Sequence, residues 1–166
     1  MKQYGKPDGI TPTMLVWEKK GPWKRIIVYK EEVPHHFPKP HTDIVEQFID
    51  YRVPADRYDE LAKFDGSVIA ERTKGELSAR CDNEAMNFLA LNLAHEVATG
   101  KLEVEAARNR YGEEALAFMN GKGSRYVQAL LFSTTGPTAD RDVPLKMMEG
   151  KEKATEKHDM EKERAY

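Results

Sequence analysis

One run, Cys81 to Gly100 (CDNEAMNFLALNLAHEVATG), constrains this chain more than any other feature. Its apolar residues recur at helical spacing on almost every side, so it predicts a helix covered by protein on two faces. On a helical wheel Met86, Leu89, Ala90, Leu93 and Val97 share one face. Phe88 and Leu91 point the other way, with Asn92, His95 and Thr99 near them. A helix of this kind lies inside a fold, against a sheet on one side and a further helix or subunit on the other. Asp82 is placed to cap its start, and Gly100 to end it in a left-handed conformation.

The elements around it follow from shorter patterns. Trp23–Val33 is β-branched and aromatic, and 44–53 alternates apolar and polar residues, so both read as strands. Pro54 opens a short helix that Asp65-Gly66 stops. Residues 67–72 and 76–81 flank Thr73-Lys74-Gly75 as a hairpin. Residues 102–120 form a second long helix, which Tyr111-Gly112 could break. Residues 126–132 are ambiguous between a last strand and a short helix. The expected class is α+β: an antiparallel sheet of about four to five strands against two longer helices. The order of elements from Ile44 to Phe132 matches a ferredoxin-like split β-α-β pattern.

The length of 166 residues fits one domain with polar ends. Pro7, Gly9, Pro12, Gly21 and Pro22 mark 1–22 as an irregular arm, 23–148 as the α+β domain, and the Lys/Glu-rich 149–166 as a solvated helical or disordered tail. The net charge of −2 conceals an uneven distribution. Residues 1–30 carry seven Lys/Arg and two acids, whereas 31–148 carry 14 and 20. No basic stripe continues into the domain, so nucleic acid is not the expected partner. One cysteine excludes an intrachain disulfide and points to a reducing, cytoplasmic setting. No apolar run approaches the roughly 20 residues that span a bilayer.

Two groups of residues are candidates for function. The first is the second face of the long helix, Phe88, Leu91, Asn92 and His95, joined by Trp17 and Trp23 of the arm. If the second long helix is broken, Phe88 and Leu91 remain as an apolar strip for a partner. This predicts a non-catalytic binding or assembly protein, a homodimer or a subunit of a larger complex, with no cofactor and no catalytic residue. The second group is the proline-rich loop with His35, His36, His41 and Asp43. Imidazole and carboxylate suit zinc, iron or manganese, and His41 and Asp43, two apart, share one side of an extended segment. A divalent-metal protein or metal-dependent enzyme is therefore the alternative, although three prolines equally suit a loop with exposed histidines. Cys81, at a strand end before a helix, has the position of a nucleophile, but alternation sends it into the core with Leu77 and Ala79.

Overall fold

The computed structural model describes residues 3–133 and 136–148. Six strands form one antiparallel sheet: β1 Gly9–Ile10, β2 Met14–Lys20, β3 Trp23–His35, β4 His41–Asp50, β5 Val68–Glu71 and β6 Glu76–Cys81. Their order across the sheet is β1-β2-β3-β4-β6-β5. Three helices, α1 Tyr58–Phe64, α2 Glu84–Ala98 and α3 Val104–Met119, complete an α+β fold. Both β4 and β5 pair antiparallel with β6, so they run parallel to each other with α1 between them. That is the split β-α-β unit expected from the order of elements. The ferredoxin-like closure is absent, because β3 already occupies the free side of β4. With no position left beside β4, residues 126–132 do not form a strand, and Arg125–Val127 makes a single 3-10 turn.

The sheet is one strand wider than expected because of the N-terminal segment. The described part of the expected arm, 3–22, is not irregular throughout: β2 pairs with β3 from Met14↔Tyr29 to Lys20↔Trp23. The boundary placed at 22/23 falls inside that hairpin. The two tryptophans fasten it. Trp17 is 1% exposed and its indole N–H donates to the Gly5 carbonyl at 3.2 Å. Trp23 is 2% exposed, donates to Glu84 Oε1 at 2.6 Å and stacks on Phe88 with ring centroids 4.7 Å apart. The expected tail, 149–166, lies outside the described residues.

Helix α2 is central, as its composition requires. Asn83, one residue after the expected Asp82, caps it by accepting from the Met86 N–H at 3.1 Å. Gly100 follows its end at φ +71°, where a side chain would be strained. Leu89, Leu91 and Leu93 are all fully buried, and Val97 is 1% exposed. Helix α3 packs against α2 and α1 and runs unbroken through Gly112. A glycine costs a helix interior only about 1 kcal/mol, and the burial of Ala107, Tyr111 and Ala115 outweighs it.

Asn92 of α2 is satisfied inside the fold by three backbone groups. Asn92 Nδ2 donates to the carbonyls of Tyr126 and Ala129, and its Oδ1 accepts from the Leu131 N–H. One side chain thus ties the segment after α3 to the central helix. Asn92→Ala leaves those three backbone groups without their partner, and buried groups in that state cost about 1–3 kcal/mol each. Part of the segment can turn to water, so a loss of about 2–4 kcal/mol is expected. Urea unfolding measures it, and a change below about 0.5 kcal/mol would contradict the role.

Among the described residues, no helix is long and apolar enough to cross a membrane.

Candidate metal centre

The histidine loop is less of a loop than its prolines suggest. Beyond a register shift between Val28 and Val33, β3 resumes pairing with β4 at Val33↔Asp43, Pro34↔Thr42 and His35↔His41. By this point β2 has ended, so β3 is an edge strand on one side, which is where a strand tolerates proline. Directly paired residues in an antiparallel ladder share a face, and residues two apart on one strand do too. Register therefore brings His35, His41 and Asp43 together. Phe37, in the connection, packs on Tyr111 at 5.0 Å between centroids, and the Arg108 guanidinium lies 3.9 Å over its ring. Arg108 Nη1 also donates to the Phe64 carbonyl at 2.5 Å, which fixes α3 and the end of α1 around the connection.

One ligand atom from each of His35, His41 and Asp43 lies within 4.8 Å of the others. Asp43 is central and fully buried. Its Oδ2 accepts a short hydrogen bond from the Ser67 hydroxyl, with His35 Nδ1 at 3.4 Å and Arg80 Nε at 3.9 Å. Its Oδ1 lies 3.1 Å from His41 Nε2, yet accepts no hydrogen bond among the described residues. Each imidazole has an acceptor near its other nitrogen. His41 Nδ1 is 2.8 Å from the Lys39 carbonyl, and His35 Nε2 is 3.6 Å from Asp65 Oδ1. A carbonyl can only accept, so His41 Nδ1 carries a proton, while its Nε2 has the Cys81 thiol at 3.4 Å and the unpartnered Asp43 Oδ1 at 3.1 Å. A doubly protonated ring would make this approach an ion pair, and a metal cation would take both atoms as ligands. Metal-binding histidines characteristically have this outer arrangement, one nitrogen on the metal and the other donating to a carbonyl or carboxylate.

Asp65, Ser67 and Arg80 complete the surroundings. Asp65 follows α1, and its Oδ1 accepts from the Ser67 N–H at 2.8 Å. Burial pushes the Asp65 carboxyl above the usual carboxylate range, and the Asp43 charge adds to that, while the Ser67 N–H and His35 oppose it. Cys81 Sγ is 3.4 Å from His41 Nε2. Burial drives the Cys81 thiol up to about 12, with the charges of Asp82 and Asp43 contributing. A thiol so disposed is not a thiolate at neutral pH, which removes the nucleophile reading.

The sequence-derived candidates separate clearly. His35, His41 and Asp43 converge, whereas His36 is exposed and outside the cluster. Asp65, Ser67 and Arg80 were not among the candidates; Asp65-Gly66 reads only as a helix stop, and Ser67 and Arg80 only as parts of the hairpin strands. On the other group, Phe88 is 7% exposed, and Leu91, Asn92, Trp17 and Trp23 are at most 2% exposed. The chain covers these residues itself, so they offer no strip to a partner.

His95 is half-buried and stacks on Phe132, with centroids 4.3 Å apart and planes 10° from parallel. Its Nδ1 is 2.8 Å from the Tyr51 hydroxyl. Burial holds its pKa below the ordinary 6.5; Lys101 adds to the depression, and Glu96 opposes it. The unfolded chain therefore binds this proton more readily. The associated stability is complete above the ordinary value and is lost as pH falls through 6.5 towards the folded value. Urea midpoints at acidic and neutral pH should fall more for the wild type than for His95→Gln. Equal falls would contradict the assignment.

Compared with family models, with curated proteins and with solved structures, the chain has no match.

Proposed function

We propose that this protein binds a divalent transition metal through His35, His41 and Asp43, with Asp65 and the Lys39 carbonyl orienting the two imidazoles. The observation that carries this reading is the approach of His41 Nε2 to the unpartnered Asp43 Oδ1 in a fully buried setting. Two imidazoles and one carboxylate suit zinc, iron(II) or manganese(II), and three protein ligands leave positions for water or a substrate. Such a centre supports Lewis-acid chemistry or a metal-bound hydroxide when filled. Histidines exposed on a flexible loop, the plainer reading of the sequence, fit poorly with side chains held by cross-strand pairing and by Phe37. The expectation of an assembly protein loses its stated basis, because Phe88 and Leu91 are covered within the chain. The single buried, unpaired thiol is consistent with a reducing, cytoplasmic setting.

Zinc titration against a chromophoric chelator tests the reading, with tag-free full-length protein. One zinc per chain at micromolar affinity or tighter is expected. His41→Ala should weaken binding at least tenfold, and His36→Ala should leave it unchanged. Wild-type protein that leaves all the zinc with the chelator would overturn the proposal.

A further inference from the structure

Beside His41 and Cys81 lies a cavity of about 110 Å³. Pro38, Met86, Ala115 and Phe118 give it apolar walls, while Lys39 and Asn83 are among its polar lining. Since His41 is shared, one end of the cavity adjoins the position the metal would take. Resting on the metal reading, we propose that this cavity holds a small monocarboxylate with a short aliphatic chain, its carboxylate completing the metal's coordination.

Charge selects the head group. A divalent ion held by Asp43 alone retains one positive charge. The flanking charges oppose one another in pairs, the Arg80 guanidinium against the Asp65 carboxyl and, in the cavity lining, Lys39 against Asp82. A buried excess charge is costly, and a monoanion removes it. An alkylamine is protonated at neutral pH, like a lysine, so it has no lone pair for the metal and would add to the charge. The walls select the chain. They offer a half-open apolar hollow with room for only a handful of heavy atoms, which suits a few methylene groups and leaves the rest of a longer chain in water past the exposed Phe118 and Met119. Ala115, 5% exposed on α3, is the smallest wall residue, so its size sets the depth available.

Cobalt(II) reports each step separately, because its visible bands appear on binding and shift when a ligand enters the coordination sphere. Full-length protein loaded with cobalt is titrated with acetate, butyrate, octanoate and butylamine. Butyrate should shift the bands saturably and bind roughly tenfold tighter than acetate, as burial of two further methylene groups implies. Octanoate should gain little over butyrate, because its outer methylene groups stay in water, and butylamine should leave the bands unchanged. Ala115→Leu should still take up cobalt but lose the preference for butyrate over acetate. If that variant does not fold, Ala115→Val replaces it and should reduce the preference. Cobalt bands that form normally but respond equally to acetate and butyrate, or to neither, would overturn the cavity assignment and leave the metal site standing. Failure of the wild type to develop cobalt bands would overturn both.

Discussion

Leu93→Asp should leave no cooperatively folded protein. Leu93 is fully buried in α2, the helix that packs on both the sheet and α3. The substitution removes a leucine whose burial contributes about 1.5–3 kcal/mol. It also places a carboxylate among apolar neighbours, and burying an unpaired charge costs several kcal/mol more. Typical domains have only about 5–15 kcal/mol of stability in total. Because β4, β6, α1, α3 and the 125–127 turn all contact α2, no part of the fold can retreat while the rest persists. Circular dichroism against temperature should show no sigmoidal transition, and Leu93→Met should nearly preserve the wild-type melt. A soluble Leu93→Asp protein with a sharp melt would show that α2 is not the centre of the core.

Asp43→Asn should have opposite effects in the two states of the site. Without metal, the wild-type carboxylate is buried with Oδ1 unpartnered and facing a ring nitrogen. An asparagine of the same shape can still accept from Ser67 and can turn its amide N–H towards His41 Nε2. Replacing a charged group by a better hydrogen-bonded neutral one is expected to leave metal-free stability unchanged or raise it by about 1 kcal/mol. With metal the sign reverses. Ligand binding stabilises a fold by about 2.7 kcal/mol when the metal is present at 100 times its dissociation constant. Asp43→Asn, lacking the anionic ligand, should lose most of that gain. Melting with zinc and with a chelator separates the two effects. A metal-free variant several kcal/mol less stable than the wild type would mean that Asp43 is a structural ion-pair partner and not a ligand.

Periodicity made the central elements legible. The runs that became α2, β4 and the β5–β6 hairpin each carry apolar residues at the spacing of their element, and that spacing set their type. The β1–β2 region was hidden because Pro7, Gly9 and Pro12 lie close to a strand of seven residues. Its inward pair, Leu15 and Trp17, is too short a pattern to outweigh that punctuation. Gly112 misled in the other direction, since a local propensity yielded to the packing of Tyr111 and Ala115. In the site, His41 and Asp43 were legible as a pair because two-residue spacing is a property of one strand. His35 joins them through the pairing of β3 with β4, which three nearby prolines conceal. Asp65 and Ser67 arrive through the split β-α-β topology, and no local pattern encodes that. The role of Phe88 and Leu91 was misjudged for the same reason: a helical wheel shows that a face is apolar, but not which element covers it.

X-ray absorption at the zinc edge of the stoichiometric complex tests the metal centre most directly. The account predicts a shell of nitrogen and oxygen near 2.0–2.1 Å, with multiple scattering from two imidazoles and no sulfur near 2.3 Å. His41→Ala should reduce the imidazole count to one. A shell of oxygen alone, without imidazole scattering, would contradict a centre built from His35, His41 and Asp43.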